Sequence, residues 1–121
     1  MVVARIKKHA ISLKAAFAGV HYVVKSQPNF SIHILATFIV LGLAFLLKVT
    51  VAEFSLLLFA IILVLTAEML NTSIEAVTDL VHKEWSEEAK IAKDVSAGMV
   101  LVSAIGATII GVIIFSKYLV F

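Results

Sequence analysis

Four polar side chains interrupt a segment that is otherwise fit for hydrocarbon. In AEMLNTSIEAVTDL, residues 67–80, Glu68, Asn71, Glu75 and Asp79 recur at intervals of three and four. At about 100° per residue on a helix they fall at roughly 0°, −60°, −20° and +20° relative to Glu68. They therefore form one stripe, about 16 Å long at 1.5 Å per residue. The run just before them, FSLLLFAIILVLT, is apolar enough to sit in lipid. A carboxylate there costs several kcal/mol unless it is neutralised or paired, so the stripe is a candidate functional site.

Each position suggests a role. Glu68, the deepest, could take a proton from a lipid hydroxyl as a general base. Glu75, nearer water, could hold Mg²⁺, which takes few protein oxygens and fills its shell with phosphate and water. The following HKEWSEEAKIAKD brings Lys83, Glu84, Glu87, Glu88, Lys90, Lys93 and Asp94 to the same side. Lys93 could neutralise phosphate as a point charge. Acids within the membrane beside lysines at its surface suit phosphoryl transfer, where positioning and charge neutralisation supply most of the rate. Two other uses of such a stripe stay open on these grounds. It could relay protons or cations in a small transporter, or hydrogen-bond helices together in a noncatalytic assembly.

The elements that must position the stripe are legible in the composition. Of 121 residues, 62% are hydrophobic, well above the half expected of a soluble domain. One proline and five glycines favour long helices over a strand-rich barrel, and the absence of cysteine rules out a thiolate site. Three spans are expected, over about 30–48, 52–80 and 94–117, since about 20 apolar residues cross a bilayer. Before them, Ile6, Ala10, Leu13, Phe17, Val20 and Val24 form one helical stripe flanked by Arg5, Lys7, Lys8, Lys14 and Lys25. That pattern predicts a basic amphipathic helix over 1–27, lying in the membrane interface. Pro28 breaks it from the first span. Eight of the ten basic residues fall in the leader or between spans two and three, and only Lys48 and Lys117 on the other side. The leader and second loop should therefore be cytoplasmic.

No cleavable signal, internal repeat or long linker is apparent, so residues 1–121 read as a single domain. Ser103, Ala107 and Gly111 mark a close-packing face on the third span. His33 is expected to bond to backbone or water, with a lipid phosphate as the alternative partner.

The strings AEMLNTSIEAVTDLV and AKIAKDVSAGMVLVSA resemble the prokaryotic diacylglycerol kinase family, which includes undecaprenol kinases. The family's E-x-x-N-x-x-x-E-x-x-x-D pattern is met by Glu68, Asn71, Glu75 and Asp79. Its A-K-D and small-residue helix start are met by Ala92, Lys93, Asp94, Ser96 and Ala97, and KSQPNFSIH resembles the start of its first span. The resemblance implies an all-α, homotrimeric kinase of the bacterial inner membrane with its active site facing the cytoplasm. It would transfer the γ-phosphate of MgATP to diacylglycerol or undecaprenol. No G-x-x-x-x-G-K occurs, so ATP must be held by other means, and no nucleic-acid partner is expected.

By the same resemblance Glu68 is the catalytic base, and Glu75 with Gln27 would hold the metal. Lys8, Gln27, Glu75, Glu84, Trp85, Ser86, Lys93 and Asp94 would contact ATP. Glu68, Asn71 and Ala97 would contact the lipid, with Asp79 supporting the cytoplasmic end. Three positions depart from the family's pattern: Gln27 stands for a metal-binding glutamate, Ser86 for a histidine, and Lys8 for an arginine. Gln27 keeps a carbonyl oxygen but removes one negative charge from the cation's surroundings. Gln27→Glu is therefore expected to lower the Mg²⁺ concentration giving half-maximal phosphorylation. An unchanged Mg²⁺ dependence would count against a metal role for this position.

Overall fold

The computed structural model describes the backbone of residues 2–119 and the side chains of residues 12–119. The expectation for Lys8 falls outside the described side chains. The chain forms four helices: α1 (Val2–Ser26), α2 (Pro28–Leu46), α3 (Val51–Val81) and α4 (Glu87–Leu119). The last three are long and apolar enough to cross a membrane.

Local chemistry sets each boundary. Gln27 is extended (φ −115°, ψ 104°), as a residue before proline tends to be, and Pro28 begins α2 where its missing N–H costs nothing. At the other end of α2, Lys48 adopts a left-handed conformation with φ 51°. The Lys48 N–H then donates to Phe45 O (3.3 Å) and the Val49 N–H to Ala44 O (3.2 Å). This is the two-bond helix stop usually made with glycine, and it ends α2 before residue 48, short of the expected span. Thr50 caps α3 through a reciprocal box: its hydroxyl accepts from the Glu53 N–H (3.3 Å), and its own N–H donates to Glu53 Oε2 (3.0 Å).

The expected third span is the apolar part of a longer helix. Ser86 starts α4 two turns ahead of that run, its Oγ accepting from the Ala89 N–H at 3.0 Å. Glu87 and Glu88 then stand in the first turn, where the helix dipole favours anions.

α3 and α4 form the main packed pair, and they are antiparallel. Asn71 meets Ser96 at one end, and Glu53 meets Lys117 and Tyr118 at the other. Between those ends Ala44, Leu57 and Ile114 make a small core joined by Val49 and Phe115. Ser103, Ala107 and Gly111 are half-buried along α4, consistent with a close-packing role.

The distribution of polarity is inverted relative to a water-soluble bundle. Among the described residues Glu68, Asn71, Thr72, Thr78 and Ser96 are buried, while Phe38, Phe45, Phe59 and many aliphatic side chains face outward. Such a surface suits hydrocarbon. On α1 the described part of the expected stripe, Leu13, Phe17, Val20 and Val24, is exposed, and Val23 is the side chain that packs inward.

Opposite the acid stripe, the Glu53 carboxylate accepts from Lys117 Nζ (2.9 Å), Tyr118 Oη (2.6 Å) and Thr50 Oγ1 (2.8 Å). It therefore ties the first turn of α3 to the last turn of α4. Loss of the cap alone, in Thr50→Ala, should cost about 1 kcal/mol. Glu53→Ala should cost more, because it also releases Lys117 and Tyr118. Unfolding in detergent–SDS mixed micelles measures both, and equal losses would show that the interhelical contacts contribute nothing.

Candidate functional site

The site is built where α2 begins, α3 ends and α4 begins, so all three helices contribute from the same side of the molecule. Its innermost group is Glu68, 2% exposed. The carboxylate Oε1 has no hydrogen-bond partner among the described residues. The imidazole Nε2 of His33 on α2 lies 3.2 Å away, an ion-pair distance without hydrogen-bond alignment.

One turn on, Asn71 is held at both ends of its amide. Its Nδ2 donates to Glu75 Oε1 at 3.0 Å, and its Oδ1 accepts from Ser96 Oγ on α4 at 2.6 Å. Those partners fix which way the amide points. Ser96 is 1% exposed, and its hydroxyl also lies 2.8 Å from the carbonyl of Lys93. Thr72 and Thr78 line the same buried face but donate back to Glu68 O (2.9 Å) and Ile74 O (2.7 Å). Their hydroxyls are thus consumed by α3 itself.

Toward the surface the stripe opens into a hollow of about 490 Å³ whose wall includes Asp79, Glu84, Trp85, Ser86, Lys93 and Asp94. Lys93 pairs with Asp79 across the α3–α4 gap at 2.5 Å. Lys90 pairs with Asp94 one turn along α4, also at 2.5 Å. Both pairs are largely solvent-exposed, and such pairs are worth about 0–1 kcal/mol. An incoming polyanion can exchange for either aspartate at little cost.

On the membrane side, His33 stands at one end of a mostly apolar cavity of about 370 Å³ between α2, α3 and α4. His33, beside Glu68, thus lines a greasy cleft, and Lys93 walls a charged hollow. Asn71 and Ser96 join the two regions.

The expected residues do not all converge. Glu68, Asn71 and Glu75 share the inner layer, and the loop and α4 residues share the outer one. Gln27 is half-buried at the start of α2, makes no capping bond, and has no hydrogen bond to the stripe among the described residues. Ala97 is exposed beside the buried Ser96. Among the described residues no cluster of three or more His, Cys, Asp or Glu could enclose a metal.

Two participants come from the structure rather than from the motif. The sequence signalled Ser96 only as a small residue at a helix start, and His33 only as an isolated histidine. Neither role could be found without the register between helices. Ser96→Ala leaves the buried Asn71 carbonyl unpaired, which should cost about 1–3 kcal/mol. Ser103→Ala, removing a hydroxyl that donates only to Val100 O, should cost less. SDS unfolding of the two variants tests that order.

Comparison with known proteins bears out the family resemblance. Residues 14–115 match the prokaryotic diacylglycerol kinase family. The chain is 42% identical over 102 residues to a diacylglycerol kinase of Synechocystis sp., covering 84% of this chain and 58% of that protein. It is 35% identical over 97 residues to the undecaprenol kinase of Bacillus subtilis, covering 80% of this chain and 79% of that one. The chain therefore spans little more than half of the Synechocystis protein. Both names describe phosphotransferases with an alcohol acceptor. Because the matched span runs from α1 to near the end of α4 and takes in the whole polar stripe, the chain belongs to the prokaryotic diacylglycerol kinase family.

Proposed function

We propose that this protein is an ATP- and Mg²⁺-dependent lipid kinase. It moves the γ-phosphate of ATP to the hydroxyl of a membrane lipid alcohol, either diacylglycerol or undecaprenol. The observation that carries this reading is the placement of one buried carboxylate. Glu68 sits where the apolar cleft at His33 approaches, through Asn71 and Ser96, the charged hollow at Lys93. A hydrocarbon chain suits the cleft, and a nucleotide suits a hollow carrying three lysines and an exposed tryptophan.

In that arrangement Glu68 removes the hydroxyl proton, and the oxygen attacks the γ-phosphorus as the bond to ADP breaks. Asn71 holds Glu75 on one side and is held by Ser96 on the other, so the stripe is fixed before substrate arrives. Lys93 exchanges Asp79 for phosphate oxygens. Trp85, 80% exposed, offers a face for the base, and Ser86 orders the adjoining turn by capping α4. Asp94 is freed for the nucleotide when its pair with Lys90 opens.

The residues present fit a magnesium ion in one mode. Glu75 supplies a single half-buried carboxylate, and Mg²⁺ is commonly held by one or two carboxylates with substrate phosphates and water. When bound, the ion would neutralise charge on the phosphates. Gln27, whose side chain is not used in capping, is the second candidate ligand.

The wider setting follows the family. We infer a homotrimer in the bacterial inner membrane, α1 lying in the interface and the hollow facing the cytoplasm. The basic leader and second loop support that orientation.

Radiolabelled ATP offered with diacylglycerol and undecaprenol in mixed micelles tests the reading. Label is expected in one lipid or both, and Glu68→Gln should lower the rate by about 10²–10⁴-fold, as loss of a general base does. Equal labelling by the variant removes the base. No labelling of either lipid by the unaltered protein removes the kinase.

A further inference from the structure

The apolar cavity has a shape that the phosphate-transfer scheme leaves unused. Three helices line it, with positions 33–43 of α2, 57–65 of α3 and 104–115 of α4, and the lining residues of each recur at the intervals of one helix face. The stretch on α2 is about 15 Å long at 1.5 Å per residue. Because α2 and α4 both pack mainly on α3, the cavity is a slot running lengthwise between them. Its volume is about 370 Å³. A cavity of about 150 Å³ admits benzene, so this one has room for roughly fifteen carbons.

The two ends of the slot differ. At one stands His33, its Nε2 3.2 Å from the buried and unpartnered Oε1 of Glu68. At the other stand Leu43, Gly111 and Phe115, and Phe115 packs on the Ala44–Leu57–Ile114 core that closes the bundle there. Little in the wall between them could hydrogen-bond a guest. The hydroxyls of Thr37 and Thr108 donate to His33 O and Ala104 O, each at 2.8 Å, and so return to their own helices. A guest is therefore read by length and girth, with its polar group at the His33 end.

Gly111 keeps the closed end roomy. Among the described residues a Cβ added there would meet no atom within 4 Å, so no neighbouring side chain has taken up the space. Glycine inside a helix is unfavourable relative to alanine, yet the chain carries one here. Gly98 and Gly106 are equally open, but they line a separate groove beside Phe59. The hydroxyl in that groove, Ser103, donates to Val100 O, and no buried acid stands at its end. Of the two hollows, the slot leads to the base.

We propose that this slot takes one hydrocarbon chain of the acceptor lipid, hydroxyl end toward Glu68, and that Gly111 is a specificity residue setting how many carbons are held. The identity of the occupant rests on the kinase reading. Carbons beyond the capacity of the slot leave through the gap between α2 and α4 and gain no further contact. A second chain on the same lipid stays in the bilayer.

Acceptors of graded chain length test this, both diacylglycerols and prenols, with KM expressed as mole fraction in mixed micelles. In the unaltered protein KM should fall by up to roughly fourfold per added carbon, then level off near roughly fifteen carbons. Gly111→Leu fills the closed end, so levelling should come about four carbons earlier. KM for long acceptors should then rise at least about tenfold, and for acceptors of about eight carbons stay within about twofold. Gly111→Ala, whose added carbon has open space, should shift the levelling by about one carbon and serves if the leucine variant does not fold. An unmoved levelling point overturns the proposal. So does a loss by the same factor at every length, which would mark a general packing role.

A second measurement needs no activity. Alkanols of about fourteen carbons carrying a diazirine at the methyl end or beside the hydroxyl are irradiated with the protein, and the adducts are mapped by mass spectrometry. The methyl-end probe should mark residues 43 and 111–115, and the hydroxyl-end probe residues 33–37. The same adduct pattern from both probes, or adducts confined to the outward-facing Phe38 and Phe45, overturns the proposal. If the unaltered protein labels neither lipid from ATP, the kinase reading falls by itself, and the adduct maps still decide whether the slot holds a chain.

Discussion

A carboxylate inside a bundle whose exterior is hydrocarbon must find its partners within the protein. That constraint organises the whole polar interior. Asn71 joins Glu75 on α3 to Ser96 on α4, and His33 on α2 stands 3.2 Å from Glu68; each hydrogen bond pairs a polar group that would otherwise be stranded. The threonines on the same face return their hydroxyls to α3, so they add no further demand. The few kcal/mol at stake in each group are large against the modest apolar core, which centres on Ala44, Leu57 and Ile114.

Satisfying that constraint also fixes the helices relative to one another. The α3–α4 pair is fastened at both ends by polar contacts of different kinds. Far from the site, Glu53 gathers Thr50, Lys117 and Tyr118. At the site, a buried hydroxyl–amide bond joins Ser96 to Asn71. Between these ends, small residues allow close approach. Helix length places the stripe at the boundary. α3 has 31 residues, about 46 Å at 1.5 Å per residue, against roughly 30 Å of hydrocarbon. Held upright, α3 exceeds that thickness, and Asp79 near its end is exposed where Glu68 is buried.

Much of this was legible in the sequence, because helical periodicity is a strong signal when polar residues interrupt an apolar run. Glu68, Asn71, Glu75 and Asp79 could be placed on one face from spacing alone, and the spans from hydropathy. What spacing could not supply was the relation between helices. His33 is one residue on α2, with no repeat to mark its direction, and only the packed register brings it to Glu68. α4 extends two turns ahead of the apolar run because Ser86 caps a polar turn that hydropathy does not see. α2 ends at Leu46, short of residue 48, because a lysine takes the left-handed position where glycine is the usual signal.

Residues 47–50 join α2 directly to α3. With Lys48 and Val49 both bonded back into α2 and Thr50 already capping α3, the connection has no slack. It behaves as a ruler: the count of residues from Gln27 to Glu68 fixes where the histidine of one helix stands beside the acid of the next. An added or deleted residue there would rotate one helix by roughly 100° against the other. Sequence drift in this turn can thus change its letters but not its length.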